Sequence, residues 1–516
     1  MTILTVMAGR YGACLLVLAI MVLTTLQFTP RRTRKRYPGK TRVKELCKDR
    51  VFNEFFRDQT DDCAKVVKCD SSRTGLSTVT CSAPLVFDID TQICNYQERV
   101  NNCDRANKRP ECSDEERDVT KCIPKVEEEN VETKVEDPNF NVPECDRQKC
   151  VLPNCYCSVD GTLAPGVEEL GLDIKEVPQM IMISFNGAVT GENMNIYERL
   201  FSSARVNPNG CTAKGSFYVS HKYTNYSAVQ ELHRKGHEIG VFSVTNSEEP
   251  EYWEKGSYDT WLLEMAGNRQ IIEQFANIKD GTVIGVRAPY LKVGGDTQFK
   301  MMNDTYFPYD SSITAPLTKV PVWPYTLDYR IPHKCHGNCP TESWPIWEMP
   351  INELDRREDP TFDEELTGCP LVSSCTNIQD KEQFLTLLQH NFDRHYLTNR
   401  APLSLAFNPF WLSSNKGFVE VFQTWMDKIL SQYKDVYFVT PFQTILWMTN
   451  PTSNVNMQGF EEWRDKCTVD GQAACHLPNV CPLRTAELPG ETIRLHTCQQ
   501  CPRRYPWLLD PEGSGN

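Results

Sequence analysis

The chain has no excess of positive charge. Its 516 residues include 55 Lys and Arg against 68 Asp and Glu, which gives a formal net charge of −13. Binding to the phosphates of nucleic acid requires a basic surface. The composition therefore argues against nucleic acid as the main partner, and it leaves neutral polymers and cationic ligands open.

Large apolar residues are scarce in residues 113–141, which contain the acidic run "KVEEENVETKVEDPNF". Such a segment cannot bury enough apolar surface to fold by itself. The sequence has no obvious internal repeat. We predict a small domain at 47–104, an acidic linker at 105–144, a large domain at 145–450 and a Cys-rich extension at 451–516 that packs on the large domain.

Cysteine is abundant, with 23 residues spread along the chain. This number is typical of a protein that folds in an oxidising compartment and forms disulfide bonds. The pairs in "CHGNC" (335–339) and "CQQC" (498–501) have a spacing that also occurs in metal sites. In a chain so rich in cysteine, disulfide bonds are the better interpretation.

The amino terminus predicts secretion. Arg10 precedes the apolar run "YGACLLVLAIMVL", as in a signal peptide, which we place at residues 1–28. The alternative is a membrane anchor, but the basic run 31–36 after it is on the wrong side for one. We therefore expect a secreted, extracellular protein with no stable membrane anchor. The run "RTRKR" fits either a proteolytic processing site or a basic spacer.

From Cys145 onward, short apolar runs alternate with helical patterns. The segments "VPQMIMISF", "KGSFYVS", "HEIGVFSV" and "VIGVRAP" predict buried strands. Between them, "YSAVQELHRKG" and "WLLEMAGNRQIIEQFAN" predict helices, the second of them long. Strand–helix alternation favours parallel strands with crossover helices. We therefore expect an α/β fold, either barrel-like or doubly wound.

Six cysteines at 47, 63, 69, 81, 94 and 103 define the small domain, which needs cross-links because it is too short for a large core. The segment "CSAPLVFDIDTQICNYQERVNNC" resembles the peritrophin-A type chitin-binding domain. The resemblance implies a β-rich domain with the pairs Cys47–Cys69, Cys63–Cys103 and Cys81–Cys94.

The same resemblance implies binding to chitin or a related N-acetylglucosamine polymer. Aromatic rings stack on the apolar faces of sugars, and Phe87 and Tyr96 are the candidates. The family usually has aromatic residues just before the third cysteine, where this chain has Val66 and Val67. The alternative is a disulfide knot used for protein contact.

The large domain resembles the insect-type chitin deacetylases of the polysaccharide deacetylase family. The likeness covers nearly all of residues 145–512, through segments such as "NPNGC", "GVRAPYLKVGGDTQF", "YDSSITAPL", "EMPINELDRREDP" and "LPGETIRLHTC". It implies a distorted (β/α) barrel with a sugar groove at the carboxyl ends of the strands. It also implies amide hydrolysis by a divalent metal, typically zinc, with a carboxylate base and a histidine acid.

The residues that this chemistry needs are replaced. Where the family has the base and a metal ligand in Thr-Phe-Asp-Asp, this chain has Asn186 and Gly187 in "SFNG". Where the family has two ligand histidines, it has Phe242 and Asn246 in "FSVTN". Where the family has the histidine acid, it has Asn408 in "LAFN". We therefore expect no catalytic residues, no metal and no other cofactor, as in a pseudoenzyme.

Other parts of the family pattern remain. Arg287, which orients the catalytic base in the family, has no carboxylate to orient here. Tyr290, Asp310 and Trp411 are the candidate substrate-binding residues of the barrel groove. "NYS" at Asn225 and "NDT" at Asn303 are acceptor sequences for N-glycans.

Three functions stay open. The first is an inactive, chitin-binding, deacetylase-like protein that organises an extracellular chitin matrix. The second is an active chitin deacetylase with non-standard ligands. The third is a protein-interaction regulator of active paralogues, with matrix proteins as partners.

Overall fold

The computed structural model describes residues 43, 46–48, 54–58, 63–69, 76–81, 85–90, 92–97, 100–109, 142–356, 368–469, 471–473 and 475–515. They fall into two compact units, Met1–Glu132 and Thr133–Asn516. The predicted signal peptide, the basic run 31–36 and most of the predicted linker lie outside the described residues. Within the described ranges, no helix combines the length and the apolar composition needed to cross a membrane.

The small unit is built from short antiparallel strands. One sheet has the order β1 (Phe55–Phe56), β2 (Lys65–Cys69), β3 (Leu76–Thr80), and a hairpin follows with β4 (Leu85–Asp88) and β5 (Ile93–Tyr96). Its disulfides join Cys47 to Cys69, Cys63 to Cys103 and Cys81 to Cys94, the same pairs that the resemblance implies. The small core around Val66 and Phe87 depends on these cross-links.

The large unit is organised around one curled, mostly parallel sheet. In it, strands run in the order β12-β13-β10-β9-β8-β7-β6-β15, and β16 also pairs with β6. A parallel pair, β11 with β14, lies apart from this path, and β14 contacts β15. The bounds of the strands are β6 (Gln179–Gly187), β7 (Ser216–Ser220), β8 (Glu238–Ser243), β9 (Gly285–Val286), β10 (Tyr309–Asp310), β11 (Thr314–Ala315), β12 (Tyr325–Thr326), β13 (Trp347–Glu348), β14 (Ile351–Asn352), β15 (Leu403–Phe407) and β16 (Val436–Val439).

Helices connect and cover these strands. They are α1 (Val167–Leu170), α2 (Gly191–Leu200), α3 (Tyr226–Arg234), α4 (Pro250–Glu254), α5 (Tyr258–Trp261), α6 (Gly267–Phe275), α7 (Gly295–Asp304), α8 (Lys381–Tyr396), α9 (Pro409–Ser414), α10 (Phe418–Gln432) and α11 (Pro441–Thr449). Short 3₁₀ turns lie at Ile174–Glu176, Pro289–Leu291, Val372–Ser374, Asn454–Gly459 and Glu461–Trp463. The predicted α/β class with a distorted barrel is confirmed.

The sheet has an apolar layer on each face. Alternate residues of β6 separate the layers: Ile181 and Ile183 face the helices, whereas Met180 and Met182 face the interior of the curled sheet. Both faces are buried, which explains why these strands are continuous apolar runs in the sequence. Buried polar side chains are few in these strands, and they include Gln179 and Ser184 of β6 and Glu238 of β8.

The long helix predicted from "WLLEMAGNRQIIEQFAN" is interrupted. The structure has α5, then a π-helical turn at Leu262–Ala266, then α6. The wider turn carries Glu264 on the buried face of an otherwise apolar pattern. Such π turns inside helices often lie at functional sites, and this one contacts the candidate site below.

The carboxyl-terminal extension is stapled to the barrel. It contains the hairpin β17 (Asn479–Leu483) and β18 (Ile493–Thr497), held by the disulfides Cys475–Cys498 and Cys481–Cys501. Cys467 is joined to Cys211, and the buried imidazole of His221 lies 2.8 Å from the carbonyl oxygen of Pro506. Further disulfides are Cys145–Cys157, Cys150–Cys155, Cys335–Cys339 and Cys369–Cys375. The disulfide interpretation of "CHGNC" and "CQQC" is confirmed.

Candidate functional site

The replaced residues meet at one edge of the sheet. Asn186 and Gly187 end β6, and Asn408 directly follows β15, whose last residue pairs with Phe185. Phe242 and Arg287 each follow directly after the pair Val241–Val286, which joins β8 to β9. Parallel strands present their carboxyl ends on the same side, where α/β proteins place ligand sites.

Arg287 is the centre of the site. Its side chain is buried, and its guanidinium donates through Nη1 to Ser184 Oγ at 2.7 Å and to Asn186 Oδ1 at 3.1 Å. Nε and Nη2 donate to the carbonyl oxygen and the hydroxyl of Ser311 at 2.9 and 2.8 Å. The guanidinium also lies 4.0 Å from the ring centroid of Tyr218. Arg287 therefore has a partner at the base position, an amide oxygen in place of a carboxylate.

The backbone conformation of Gly187 disfavours any residue that has a side chain. Its φ is +111°, a conformation that residues with a Cβ rarely adopt, although a Cβ there would meet no atom within 4 Å. The obstacle to a carboxylate at this position is thus conformation rather than space.

Phe242 is part of the apolar interior. It is 8% exposed and packs with the cluster that contains Tyr218, Tyr309 and Met349 inside the curled sheet. Asn246 lies in the loop after β8 with φ +49°, and its backbone N–H donates to Ser243 Oγ at 2.9 Å. Asn tolerates this left-handed conformation better than most residues. Of the two positions where the resemblance implies ligand histidines, Phe242 is therefore part of the core and Asn246 closes a turn.

Glu264 clamps the loop that contains Asn246. The carboxylate is buried, and it accepts the backbone N–H groups of Val244 and Thr245, both at 2.9 Å, and the Tyr252 hydroxyl at 2.9 Å. The Thr245 hydroxyl also donates to it. Burial raises the pKa of Glu264. Sequence reasoning missed this residue, although a glutamate on the apolar face of a helical pattern is the signal that marks it.

Asn408 serves as a helix cap. Its Oδ1 accepts the N–H of Phe410 at 2.9 Å at the start of α9, and its own N–H donates to Ser373 Oγ at 3.4 Å. An asparagine suits this capping position. Asn408, which the resemblance places at the acid position, therefore has a local structural role.

Two aromatic side chains are exposed beside the site. Tyr290, just after Arg287, is 52% exposed with φ +56°, and Phe410, on α9, is 73% exposed. Trp411 is half-buried, with its ring 5.5 Å from that of Phe384 and 5.0 Å from that of Phe418. Of the candidate sugar-binding aromatics, Tyr290 thus offers the more open ring face.

The structure contradicts direct substrate contact by Asp310. The residue has no exposed surface, because it lies between β9 and β13 under α7. Its oxygens accept from Gln298 Nε2 at 2.8 Å, Ser312 Oγ at 2.9 Å and Ser312 N at 2.7 Å. Glu348 is its cross-strand partner and is also buried. Burial raises the pKa of Asp310 to about 6, and burial together with Asp310 raises that of Glu348.

The expected sugar contact of Phe87 is contradicted too. Its ring is buried in the small core, 5.3 Å from the ring of Phe55, because β4 turns it inward. The side chain of Tyr96 lies outside the described residues. Among the predicted glycan acceptors, Asn303 is exposed near the end of α7, and Asn225 caps α3 through its Oδ1. Both remain predictions.

The side chains present do not match the donors that zinc prefers. Zinc binds histidine, cysteine and carboxylate groups, whereas the replaced positions offer the amide oxygens of Asn186 and Asn246, no side chain at Gly187 and a phenyl ring at Phe242. In the described part of the chain, no group of three His, Cys, Asp or Glu side chains is arranged to hold a metal ion.

Both units have counterparts among known proteins. Residues 47–103 match the chitin binding Peritrophin-A domain. The chain is 48% identical over 503 residues to "Chitin deacetylase 1" of Bombyx mori, covering 92% of each chain. It is 32% identical to "Chitin deacetylase 8" of the same organism, covering 72% of this chain and 93% of that one.

The chain belongs to the chitin deacetylase family. Among solved structures, it is similar to "Family 4 carbohydrate esterase from Streptomyces lividans in complex with acetate", with 11% identity and a TM-score of 0.29 over 51% of this chain and 92% of that one. This member of the family combines a chitin-binding domain with a deacetylase-like barrel.

Proposed function

We propose that this chain is a secreted, chitin-binding member of the chitin deacetylase family that does not deacetylate chitin and organises extracellular chitin. The observation that carries the proposal is the contact of 3.1 Å from Arg287 Nη1 to the amide oxygen of Asn186. An amide cannot take a proton from water at neutral pH. The arginine that would orient a base therefore holds a group that is not one.

The other replaced positions support the same conclusion. Amide hydrolysis needs an activated water, a polarised carbonyl and a proton for the leaving amine. Phe242 is buried in the apolar interior, Asn246 closes a turn and Asn408 caps a helix. Each of these residues has a structural role of its own, and none offers the imidazole that the family chemistry uses. Residues with structural roles thus stand where the family chemistry needs its ligand histidines and its acid.

Binding to sugar does not require the lost groups. The small domain matches a chitin-binding family, and the edge of the barrel keeps the exposed rings of Tyr290 and Phe410. Aromatic rings stack on the apolar faces of N-acetylglucosamine. We propose that the barrel groove contributes to chitin binding through these two rings.

Acetate release from chitin by the purified full-length chain tests the proposal. The comparison is a variant with Asn186→Asp, Gly187→Asp, Phe242→His, Asn246→His and Asn408→His. We expect no acetate release and no stoichiometric zinc in the natural chain, which binds chitin beads all the same. Acetate release with tightly bound zinc in the natural chain would favour the second candidate, an active deacetylase with non-standard ligands.

A protein-interaction regulator is the third candidate, and one observation favours it. In the small domain, Val66, Val67 and Phe87 are all buried, so none of them offers a ring or an apolar face to a sugar. A chitin-bead assay separates the two functions. If the full-length chain fails to bind chitin and captures an active paralogue, the result would favour regulation of paralogues over binding to a chitin matrix.

A further inference from the structure

The hairpin β17–β18 presents a basic surface on an acidic protein. Along β17, Cys481 and Leu483 are buried, whereas Pro482 and the following Arg484 are exposed. Pro482 pairs with the exposed Arg494 of β18, and the exposed Arg503 and Arg504 lie in the segment that follows the hairpin. We call Arg484, Arg494, Arg503 and Arg504 the arginine face. It concentrates positive charge on a chain whose formal net charge is −13.

Among the described residues, the arginine face has no carboxylate partner. Arg484 Nε donates to the Thr492 hydroxyl at 2.8 Å, and within the described ranges none of the four arginine side chains forms an ion pair. Carboxylates of the same extension have other partners: Glu491 pairs with Lys222 at 3.1 Å, and Asp510 accepts the backbone N–H groups of Ser514 and Gly515 at 2.9 and 2.8 Å. Glu487, beside the cavity described next, accepts the hydroxyl of Thr485. Guanidinium groups without a carboxylate partner are available to an external anion.

A cavity of about 380 Å³ lies within the arginine face. Its lining mixes charged and apolar groups: Pro482, Leu483, Arg484, Thr485, Ala486, Arg503 and Arg504. A purely ionic site for a sulfated sugar does not require the apolar part of this lining. A peptide with alternating acidic and apolar side chains would use both parts.

The surface is rigid before any ligand binds. Two disulfides, Cys475–Cys498 and Cys481–Cys501, fix the hairpin and the segment after it. The N–H of Tyr505 donates to the carbonyl of Arg484 at 3.0 Å, which aligns that segment with the end of β17. A preformed site loses less conformational entropy on binding.

We propose that the arginine face docks an acidic peptide segment of a partner protein. Carboxylates of the peptide bind Arg503 and Arg504, and an apolar side chain between them packs on Pro482 and Ala486. Neutral chitin and its cationic deacetylated form offer no anion, so this site is distinct from sugar binding at the edge of the barrel. It gives the matrix protein a second point of attachment.

Binding of a fluorescent peptide of alternating Glu and Leu to the full-length chain tests the proposal. We expect Arg503→Ser with Arg504→Ser to weaken binding about tenfold. Arg503→Lys with Arg504→Lys keeps the charge but not the fork geometry, and it should bind with intermediate affinity. The matched control is Lys175→Ser with Lys416→Ser, which removes two exposed charges elsewhere and should bind as the natural chain does.

Thermal unfolding of each variant verifies that the exposed substitutions leave the fold intact. Equal binding by the serine variant and the control would overturn the proposal. So would equal binding of a Gln–Leu peptide, since that would remove the role of charge. Binding of a sulfated oligosaccharide without binding of the acidic peptide would overturn it in favour of an anionic polysaccharide.

Discussion

Arg287 Nη1 donates to Asn186 Oδ1 over 3.1 Å, with the guanidinium held at its other nitrogens by Ser311. The arginine is buried, so each of its N–H groups needs an acceptor. The amide oxygen of Asn186 supplies one where the family has a carboxylate. Under the proposed function, this contact keeps a hydrogen bond to Arg287 at the position where the family resemblance implies a catalytic base.

Substitution of Asn186 tests its structural role. Asn186→Leu leaves one donor of the buried guanidinium without a partner, and we expect it to lower the free energy of unfolding by about 1–3 kcal/mol. Asn186→Asp restores a carboxylate beside Arg287 and should leave stability at neutral pH unchanged or higher. Urea unfolding measures both. The interpretation fails if the leucine variant is as stable as the natural chain.

The conformation of Gly187 limits the stability of any variant that carries a carboxylate at this position. At φ +111°, we expect Gly187→Ala to lower the free energy of unfolding by about 1–2 kcal/mol, although a methyl group has room there. Gly187→Asp should show the same loss, because the Cβ and not the charge is the cause. Urea unfolding of the two variants measures this. An alanine variant as stable as the natural chain would show that the backbone adapts at no cost.

Exposed tyrosines at opposite ends of the barrel test the sugar groove. Tyr290 follows β9 and Tyr306 precedes β10; each is 52% exposed, with φ +56° and +58°. We expect Tyr290→Ala to weaken binding of an N-acetylglucosamine oligomer by about 0.5–1.5 kcal/mol, as for the loss of one ring contact. Tyr306→Ala is the matched control and should bind as the natural chain does.

Isothermal titration of the full-length chain gives both affinities. Equal affinities of the Tyr290→Ala and Tyr306→Ala variants would place sugar binding away from this edge of the barrel. Loss of binding in both variants, with a lowered melting temperature, would show a general effect on the fold.

The sequence predicts the sheet, because strands buried on both faces leave continuous apolar runs such as that of β6. The edge where the site lies is implied only by the family resemblance. It does not predict which of the polar residues are exposed. Asp310 lies in the segment "YDSSITAPL", yet its environment depends on Glu348, which is 38 positions away and adjacent only through the pairing of β10 with β13. The burial of Phe87 could not be predicted for the same reason, since its neighbours come from other strands of the small core.

The buried pair Asp310–Glu348 makes stability depend on pH. Burial raises both pKa values, so the folded state binds more protons than the unfolded state between their ordinary and raised values. The stability due to these protons is therefore complete at low pH and is lost as pH rises through the folded pKa values.

Glu348→Gln keeps a donor toward Asp310 without the second charge, whereas Glu249→Gln, at an exposed position, is the control. Urea unfolding between about pH 5 and about pH 8 should show a smaller loss of stability for Glu348→Gln than for the natural chain and the control. Three parallel curves would show that the pair does not carry this pH dependence.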